Sequence, residues 1–562
     1  MVRRPSDAMG ESLTRTAPKR RPRCLVVWDR ERLQVLGEMV GGDGPARHRL
    51  VCESWAEYAP ASDVSGDAQW IEIDRRARTV RIRISDFGAR PLFYYLDPSL
   101  CIIAPAILPI AEALVERGVT VEWDRAGLLE ALLLDHPFRH RTYFRGIERG
   151  IMGEELLLRL DTSEVERSRT WTLRFAAPDE PRRTLGDAVE LLRSLTEETP
   201  LPEGAVHPLS GGYDSRLLLC LAVAEGRRPR TLTFGEYGSA DLTMARAVAD
   251  LLGVPNGTYA QRPEDLWTHG MDVSILSGGM VTPAHRHIYS MLHDMQVEAP
   301  LVHGFYGDPS AGASALPIDH DAGEEEVLRH FMDYLRGEPK PIAGRASATL
   351  WAAIAEHTRE EIEADVQVAL RECSSVSSPA AFHEYFHNVE RQSSMVAQVI
   401  SVFELFGPCT HPFATRRFAE FFNAAPIEDR RHRRLFVDAA SQLFPQAFAL
   451  SSLDRPWGTR VPCRAQSLMK TARNSLQLAT QLLSGGRLAA LSPFWTEQHD
   501  YIIGRHYRAA LDDAITAAEG LLDTDLTSLR YSRVPKWRNA YRQLRLIGLH
   551  GLMEHPTYRA LT

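Results

Sequence analysis

The stretch HPLSGGYDS at 207–215 constrains this chain more than any other. A short apolar segment, residues 205–209, precedes two adjacent glycines and reads as a buried strand. A helix-like run over 216–225 follows. Strand, glycine turn and helix start gather backbone N–H groups around an anion, helped by the positive end of the helix dipole. Gly211 and Gly212 let the backbone approach a phosphate closely, with Leu209, Ser210 and Ser215 completing the cradle. A phosphate would repel Asp214 unless a divalent cation lay between them, so Asp214 reads as a magnesium ligand. A bare six-residue match fits a strand-to-helix turn with Ser215 as N-cap equally well. No Lys follows the glycines, so the GxxxxGK[ST] loop of the common nucleotide hydrolases is excluded.

The surrounding pattern breaks the tie. Helix 185–198, strand 205–209, helix to 225, strand 230–234 and helix 241–252 follow in order, with Ser239 near an N-cap and Gly253 at a C-terminal stop. Strand 257–260 comes next. This alternation predicts a parallel, doubly wound sheet with ligand at the carboxyl ends of its strands. The glycine loop then lies where such sheets bind ligands, and Phe234 ends the neighbouring strand. Strand 299–302 runs into HGFYGDPSAG at 303–312. On its own, Asp308 there reads as a turn acid before Pro309. Ser277-Gly278-Gly279 has no Asp-Ser after it and no strand before it, and reads as a plain loop. His285 and His287, two apart, read as surface or pocket residues rather than metal ligands.

At 562 residues the chain has room for two or three domains. Residues 1–23 are basic and polar and read as a disordered tail. From 24 to 172 the pattern is β-rich, with strands expected at 24–28, 33–36 and 49–52, and a hairpin of 70–74 with 79–85. DFGARPLFYY at 86–95 is a turn running into an aromatic strand. Residues 104–134 are helical in period, and FRGIERGIMGE at 144–154 precedes strand 156–160. Residues 175–183 read as a linker. Residues 324–363, 380–405 and 466–562 are helix-like, and RRHRRL at 430–435 is expected to begin a helix. Residues 530–550 predict a packed terminal helix with a solvated basic face. A net charge of −8 argues against a general nucleic-acid binder. No apolar run of about 18 residues exists, so no membrane span is expected. The seven cysteines are scattered without a CxxC pair, which suits reduced thiols in a cytoplasmic protein.

Several of these strings together resemble the asparagine synthetase-like family. DFGARPLFYY and FRGIERGIMGE resemble signatures of its N-terminal glutaminase domain, SGGYDS its nucleotide loop, and GFYGDPSAG the loop facing it. The resemblance covers roughly residues 70–465. It implies an α+β N-terminal sandwich over 24–175, and then an α/β doubly wound parallel-sheet synthetase domain over 184–562 with helical C-terminal additions. The family's glutaminase nucleophile is an N-terminal cysteine. Here Met1 is followed by Val2 and the first cysteine is Cys24 in a strand-like run, so the first domain is expected to be inactive. The resemblance implies ATP and Mg2+ as cofactors, with Asp214 and Asp308 as metal ligands and His303 and Gly304 lining the adenine side. SVFELFGPCTHPF at 401–413 aligns with a substrate-facing segment in which the family's Arg is Phe406 and its closing Asp is His411. Family spacing back from Glu404 reaches Glu390, which is either a general base oriented by the Tyr306 hydroxyl or a solvated helix acid paired with Arg391 or Arg434. Glu404 reads as a buried structural acid. DRPWGTRVP at 454–462 resembles a loop that lays a cation over the reacting phosphate; Trp457 replaces its Lys, leaving Arg455 and Arg460 for that charge or for a loop-anchoring ion pair.

Attack of a carboxylate on the α-phosphate of ATP, release of pyrophosphate and capture by an amine is the chemistry the resemblance implies. Members lacking the glutaminase cysteine include β-lactam synthetases and lasso peptide cyclases. The leading expectation is a macrolactam synthetase that adenylates an Asp or Glu side chain of a precursor peptide and joins it to the peptide's N-terminal amine. A leader-peptide protease and a leader-recognition protein are its implied partners. The alternatives are a β-lactam-forming or ammonia-dependent small-molecule ligase, and a non-catalytic nucleotide- or partner-binding protein.

Overall fold

The computed structural model describes residues 25–29, 32–35, 47–51, 69–175, 183–235, 239–314, 321–336, 345–452, 505–530 and 537–562, with 458, 461, 465, 468–469 and 472. The first part carries β1 (Val26–Asp29), β2 (Leu33–Val35), β3 (Arg47–Val51), β4 (Trp70–Asp74), β5 (Thr79–Arg83), β6 (Phe93–Asp97), β7 (Leu100–Ala104), β8 (Ile147–Arg149), β9 (Glu154–Arg159) and β10 (Glu164–Arg169). They form two antiparallel sheets, ordered β2-β1-β7-β6-β8 and β10-β9-β5-β4-β3. Alternation sorts the side chains, as β4 and β9 show by burying every second residue. Ile71, Ile73, Val80, Ile82, Leu156 and Leu158 of one sheet meet Val26, Tyr94, Cys101 and Ile103 of the other. Strand β7 is buried on both faces: Cys101 and Ile103 enter this sandwich, while Leu100, Ile102 and Ala104 face helices Ile107–Val115 and Arg125–Leu134.

The later part holds β11 (Val206–Pro208), β12 (Arg230–Gly235), β13 (Asn256–Ala260), β14 (Leu301–Val302) and β15 (Cys409–Thr410), all paired in parallel in the order β13-β12-β11-β14-β15. Helices Tyr213–Ala224 and Ala240–Leu252 make the first two crossovers, and the chain then returns to the far side of β11 for β14. Ser239 caps the second crossover helix and Gly253 ends it in a left-handed conformation, as the sequence predicts. The reversal of strand order between β11 and β14 opens a crevice at the carboxyl ends of the strands.

Three expectations change. The helical segment 104–134 is interrupted: Gly118 is left-handed, and the second helix starts afresh at Arg125, capped by Asp124, whose carboxylate accepts from the Gly127 N–H at 3.0 Å. RRHRRL does not open a helix until Arg434, because His432 and Arg433 both take positive φ. The basic face of helix Trp537–Glu554 is not solvated at Arg542 and Arg545. Both are buried, and they cap the carbonyl end of helix Arg125–Leu134: Arg542 donates to the Leu132 carbonyl at 2.6 Å, and Arg545 to the Asp135 carbonyl and carboxylate, each at 2.6 Å.

The two parts share one apolar core, in which Phe87, Phe93 and Ile107 join Met271, Tyr306 and Phe403. Charged side chains lock it. Glu390, fully buried in a wide-turned π-helix over His387–Val396, accepts from Arg139 Nη1 at 2.8 Å, the Arg139 backbone N–H at 2.9 Å and Arg149 Nη2 at 2.9 Å. Asp86 of the DFG turn joins Arg83 and Arg416, and Glu372 joins Arg139 and Arg169. Four described cysteines, Cys101, Cys220, Cys373 and Cys409, are buried thiols, and desolvation pushes those of Cys101 and Cys220 up to about 12. Among the described residues no helix is long and apolar enough to cross a membrane.

Glu390→Ala leaves two guanidiniums buried with part of their charge uncompensated. We expect a loss of roughly 3–5 kcal/mol, read as a lower denaturant midpoint; an unchanged midpoint would show the pair to be dispensable. Burial alone would raise the Glu390 carboxyl, but Arg139 and Arg149 hold it below the usual carboxylate range. Its contribution is therefore present above the unfolded carboxyl value and is lost as pH falls through the folded one.

Candidate functional site

The glycine loop occupies the crevice. Leu209 extends β11 by donating its N–H to the Leu232 carbonyl at 2.8 Å, and the crossover helix begins at Tyr213 with Gly212, not Ser215, at the N-cap position and no side-chain cap. Ser215 instead turns its hydroxyl back into the loop. The Ser210 N–H donates to Ser215 Oγ at 3.2 Å, the Gly212 N–H to Ser210 Oγ at 3.2 Å, and the Gly211 N–H to Asp241. Three consecutive backbone donors thus converge on side-chain oxygens, the kind of acceptor a phosphate presents.

The loop after β14 closes the other wall. A Cβ on Gly304 would lie 2.8 Å from Asp214 Cβ, and one on Gly307 2.6 Å from Asp214 Oδ1, so only hydrogen fits at either place. Sequence reasoning placed these two loops face to face, and the structure brings them together at Asp214. Asp308 directly follows Gly307 and is exposed. Between the glycines Tyr306 holds φ of 72°, a costly conformation for a tyrosine. Its hydroxyl donates to the Asn388 carbonyl at 3.1 Å and its ring packs edge-on against Phe87. The expected Tyr306–Glu390 pairing is therefore corrected: the hydroxyl goes to backbone, and Glu390 is taken up by Arg139 and Arg149. The alternative partners Arg391 and Arg434 are also replaced by these two arginines.

Phe234 is the next-to-last residue of β12 and stacks on His287, with centroids 5.2 Å apart and planes 19° apart, offering one edge of a flat apolar wall. His303 donates its backbone N–H to the Thr410 carbonyl at 3.0 Å, and desolvation pulls its imidazole down to about 4. Glu404 is buried with its Oε1 3.5 Å from Arg90 Nε, in keeping with a structural acid. Phe406 packs edge-on against Tyr289, and His411 lies against Phe305 and His303. Arg455 and Arg460 lie outside the described residues, but the root of their segment is anchored here. Buried Arg216 donates to the carbonyls of Gly211 at 3.3 Å, Leu450 at 3.2 Å and Ser451 at 2.6 Å, holding that root against the glycine loop.

Two residues escaped the sequence reading. Arg433, at φ of 59°, donates to Asp214 Oδ1 while stacking over Phe436 at 4.6 Å, and so places a cation in the crevice. Only the positive φ aims it there, and nothing in RRHRRL announces that. Asp241 is 4% exposed, and desolvation pushes its carboxyl up to about 6 against the lowering effect of the Gly211 N–H. Ser239-x-Asp241 at a helix start after a strand was the available signal for it. Oxygen donors on facing loops, Asp214 and Asp308, suit a hard cation such as Mg2+, and the loop N–H groups suit the phosphates it would accompany. A cavity of 330 Å³ lies elsewhere, between His136, His285, Phe386, His387, Arg391 and Tyr541. Compared with known proteins, the chain matches no family model and no curated protein.

Asp241 makes the crevice sensitive to pH. Its folded value of about 6 exceeds the unfolded value of about 3.9, so protonation favours the fold: the contribution is complete below about pH 4 and is lost as pH rises through 6. Asp241→Asn keeps an acceptor for Gly211 and cannot ionise. We expect it to gain up to about 3 kcal/mol on wild type at pH 7 relative to pH 4 in denaturant unfolding; parallel pH profiles would refute this.

Proposed function

We propose that the chain is an ATP-dependent amide-forming ligase of the asparagine synthetase type, with a glutaminase-like N-terminal sandwich. The reading is carried by one observation, the meeting of the SGGYDS and GFYGDP loops at Asp214 in the strand-order reversal. The loop N–H groups of Ser210, Gly211 and Gly212 would take phosphate oxygens in place of their present side-chain acceptors. Asp214 and Asp308 would hold Mg2+, which when bound neutralises phosphate charge. Arg433 adds a fixed cation, and Phe234 a face for the base. No proton transfer is assigned to Glu390, because its carboxylate is engaged by two guanidiniums.

The activated group in this proposal is an Asp or Glu side chain of a precursor peptide, closed onto the peptide's own N-terminal amine. Phe406 and His411 stand in contacts with aromatic rings where the family's Arg and Asp serve its small substrate, which argues against free aspartate. The burial of Glu390 favours one competing reading, a nucleotide-holding protein without catalysis.

Pyrophosphate exchange into ATP separates these readings. Exchange that depends on a leaderless peptide containing Asp or Glu supports the macrolactam synthetase, exchange with aspartate alone supports the small-molecule ligase, and none with any carboxylate leaves the binder. Asp214→Ala should abolish exchange; unchanged exchange in this variant would remove Asp214 from the site.

A further inference from the structure

Beyond the end of β13, on the outer edge of the parallel sheet, a second cluster of polar side chains serves none of the chemistry above. His269 opens helix His269–Leu276, and His293 and Asp294 close helix His287–Asp294. Asp294 Oδ1 lies 2.9 Å from His269 Nε2 and 3.0 Å from His293 Nδ1. One ligand atom from each of the three residues lies within 4.8 Å of the others. We propose that His269, His293 and Asp294 form a binding site for one divalent transition-metal ion of the zinc type. The inference is independent of the nucleotide reading.

Four features carry it. The first is that Asp294 is held from behind: its Oδ2 accepts from the Tyr259 hydroxyl at 2.8 Å and from Arg262 at 2.6 Å, which turns Oδ1 toward the two imidazoles. The second is ring orientation. Tyr289 packs against His269 and His293 at 5.7 and 5.9 Å, and the two imidazoles sit 4.7 Å apart. The Asp272 carboxylate lies 3.9 Å from His269 Nδ1, behind the ligating nitrogen. Charge is the third: Asp265 and Asp294 pair with the Arg262 guanidinium, and Asp272 adds a further carboxylate beside His269, a setting that favours a bound cation. The fourth is access, since the side chains of His293 and Asp294 are 15% and 24% exposed.

Ligand atoms about 2.0–2.1 Å from a tetrahedral zinc ion stand roughly 3.3 Å apart, so binding needs only small shifts and the loss of the two N–H protons that now bridge to Oδ1. Two nitrogens and one carboxylate oxygen suit zinc and its first-row neighbours, whereas Mg2+ prefers an all-oxygen shell. Three protein ligands leave a fourth position for water. The ion would clip the two helices to the end of β13.

The test uses the full chain, stripped with a chelator and titrated with Zn2+ in a calorimeter. We expect one equivalent bound at micromolar affinity or tighter, a higher Tm with Zn2+, and no displacement by equimolar Mg2+. His293→Ala and the milder His269→Gln should each weaken binding at least about tenfold while preserving the metal-free circular dichroism spectrum. His383→Ala, at a histidine outside the cluster, should bind as wild type does. The proposal is overturned if wild type takes up no stoichiometric Zn2+, or if both cluster variants bind as tightly as wild type.

Discussion

The buried carboxylate of Glu390 is the contact on which the rest of the molecule is arranged. A charge removed from water is tolerated only where opposite charges and hydrogen bonds replace the solvent, and Arg139 and Arg149 do so here with side chains and one backbone N–H. Both arginines belong to the segment of the N-terminal part that leads into and forms β8, while Glu390 belongs to the helical layer over the parallel sheet. The pairing therefore sets how the two parts meet. Asn388, two residues earlier in the same π-helix, accepts the Tyr306 hydroxyl, and Tyr306 lies between the glycines that press on Asp214. A continuous set of contacts thus runs from the inter-part ion cluster to the crevice.

The crevice stores backbone strain. Tyr306, His432 and Arg433 all hold positive φ, a conformation that costs on the order of 1–3 kcal/mol for each non-glycine residue. Tyr306 and Arg433 flank the same carboxylate, one through its neighbouring glycines and one by direct donation. Asp241 adds an electrostatic cost, a nearly buried carboxylate that accepts from the Gly211 N–H. Such costs persist where surrounding packing over-determines the geometry, which is the usual setting of a site built to receive charge.

Arginine carries much of the tertiary wiring. Arg216 gathers carbonyls from the glycine loop and the 450–451 segment, Arg542 and Arg545 cap the helix that covers β7, and Arg416 reaches the DFG turn. Five donors in a rigid fork let one side chain satisfy several carbonyls that the ends of short helices and loops would otherwise bury unpaired.

Local order was readable from the residues alone. The alternation in β4 and β5, the capped helix from Ser239 to Gly253, and the strand–glycine–helix unit around Gly211 each depend on neighbours a few positions apart. The approach of residues 303–308 to the glycine loop was also legible, through the order of strands and the two glycines. What the sequence could not disclose was where charges went. A run such as RRHRRL or a basic helix face reads the same whether its arginines meet water or buried carbonyls, and Arg433 owes its positive φ to its packing over Tyr213 and Phe436 rather than to residue type. Glu390 shows the same limit: the family resemblance offered it as a base or a solvated helix acid, but its partners lie 241 and 251 positions away, and only the folded chain brings them together.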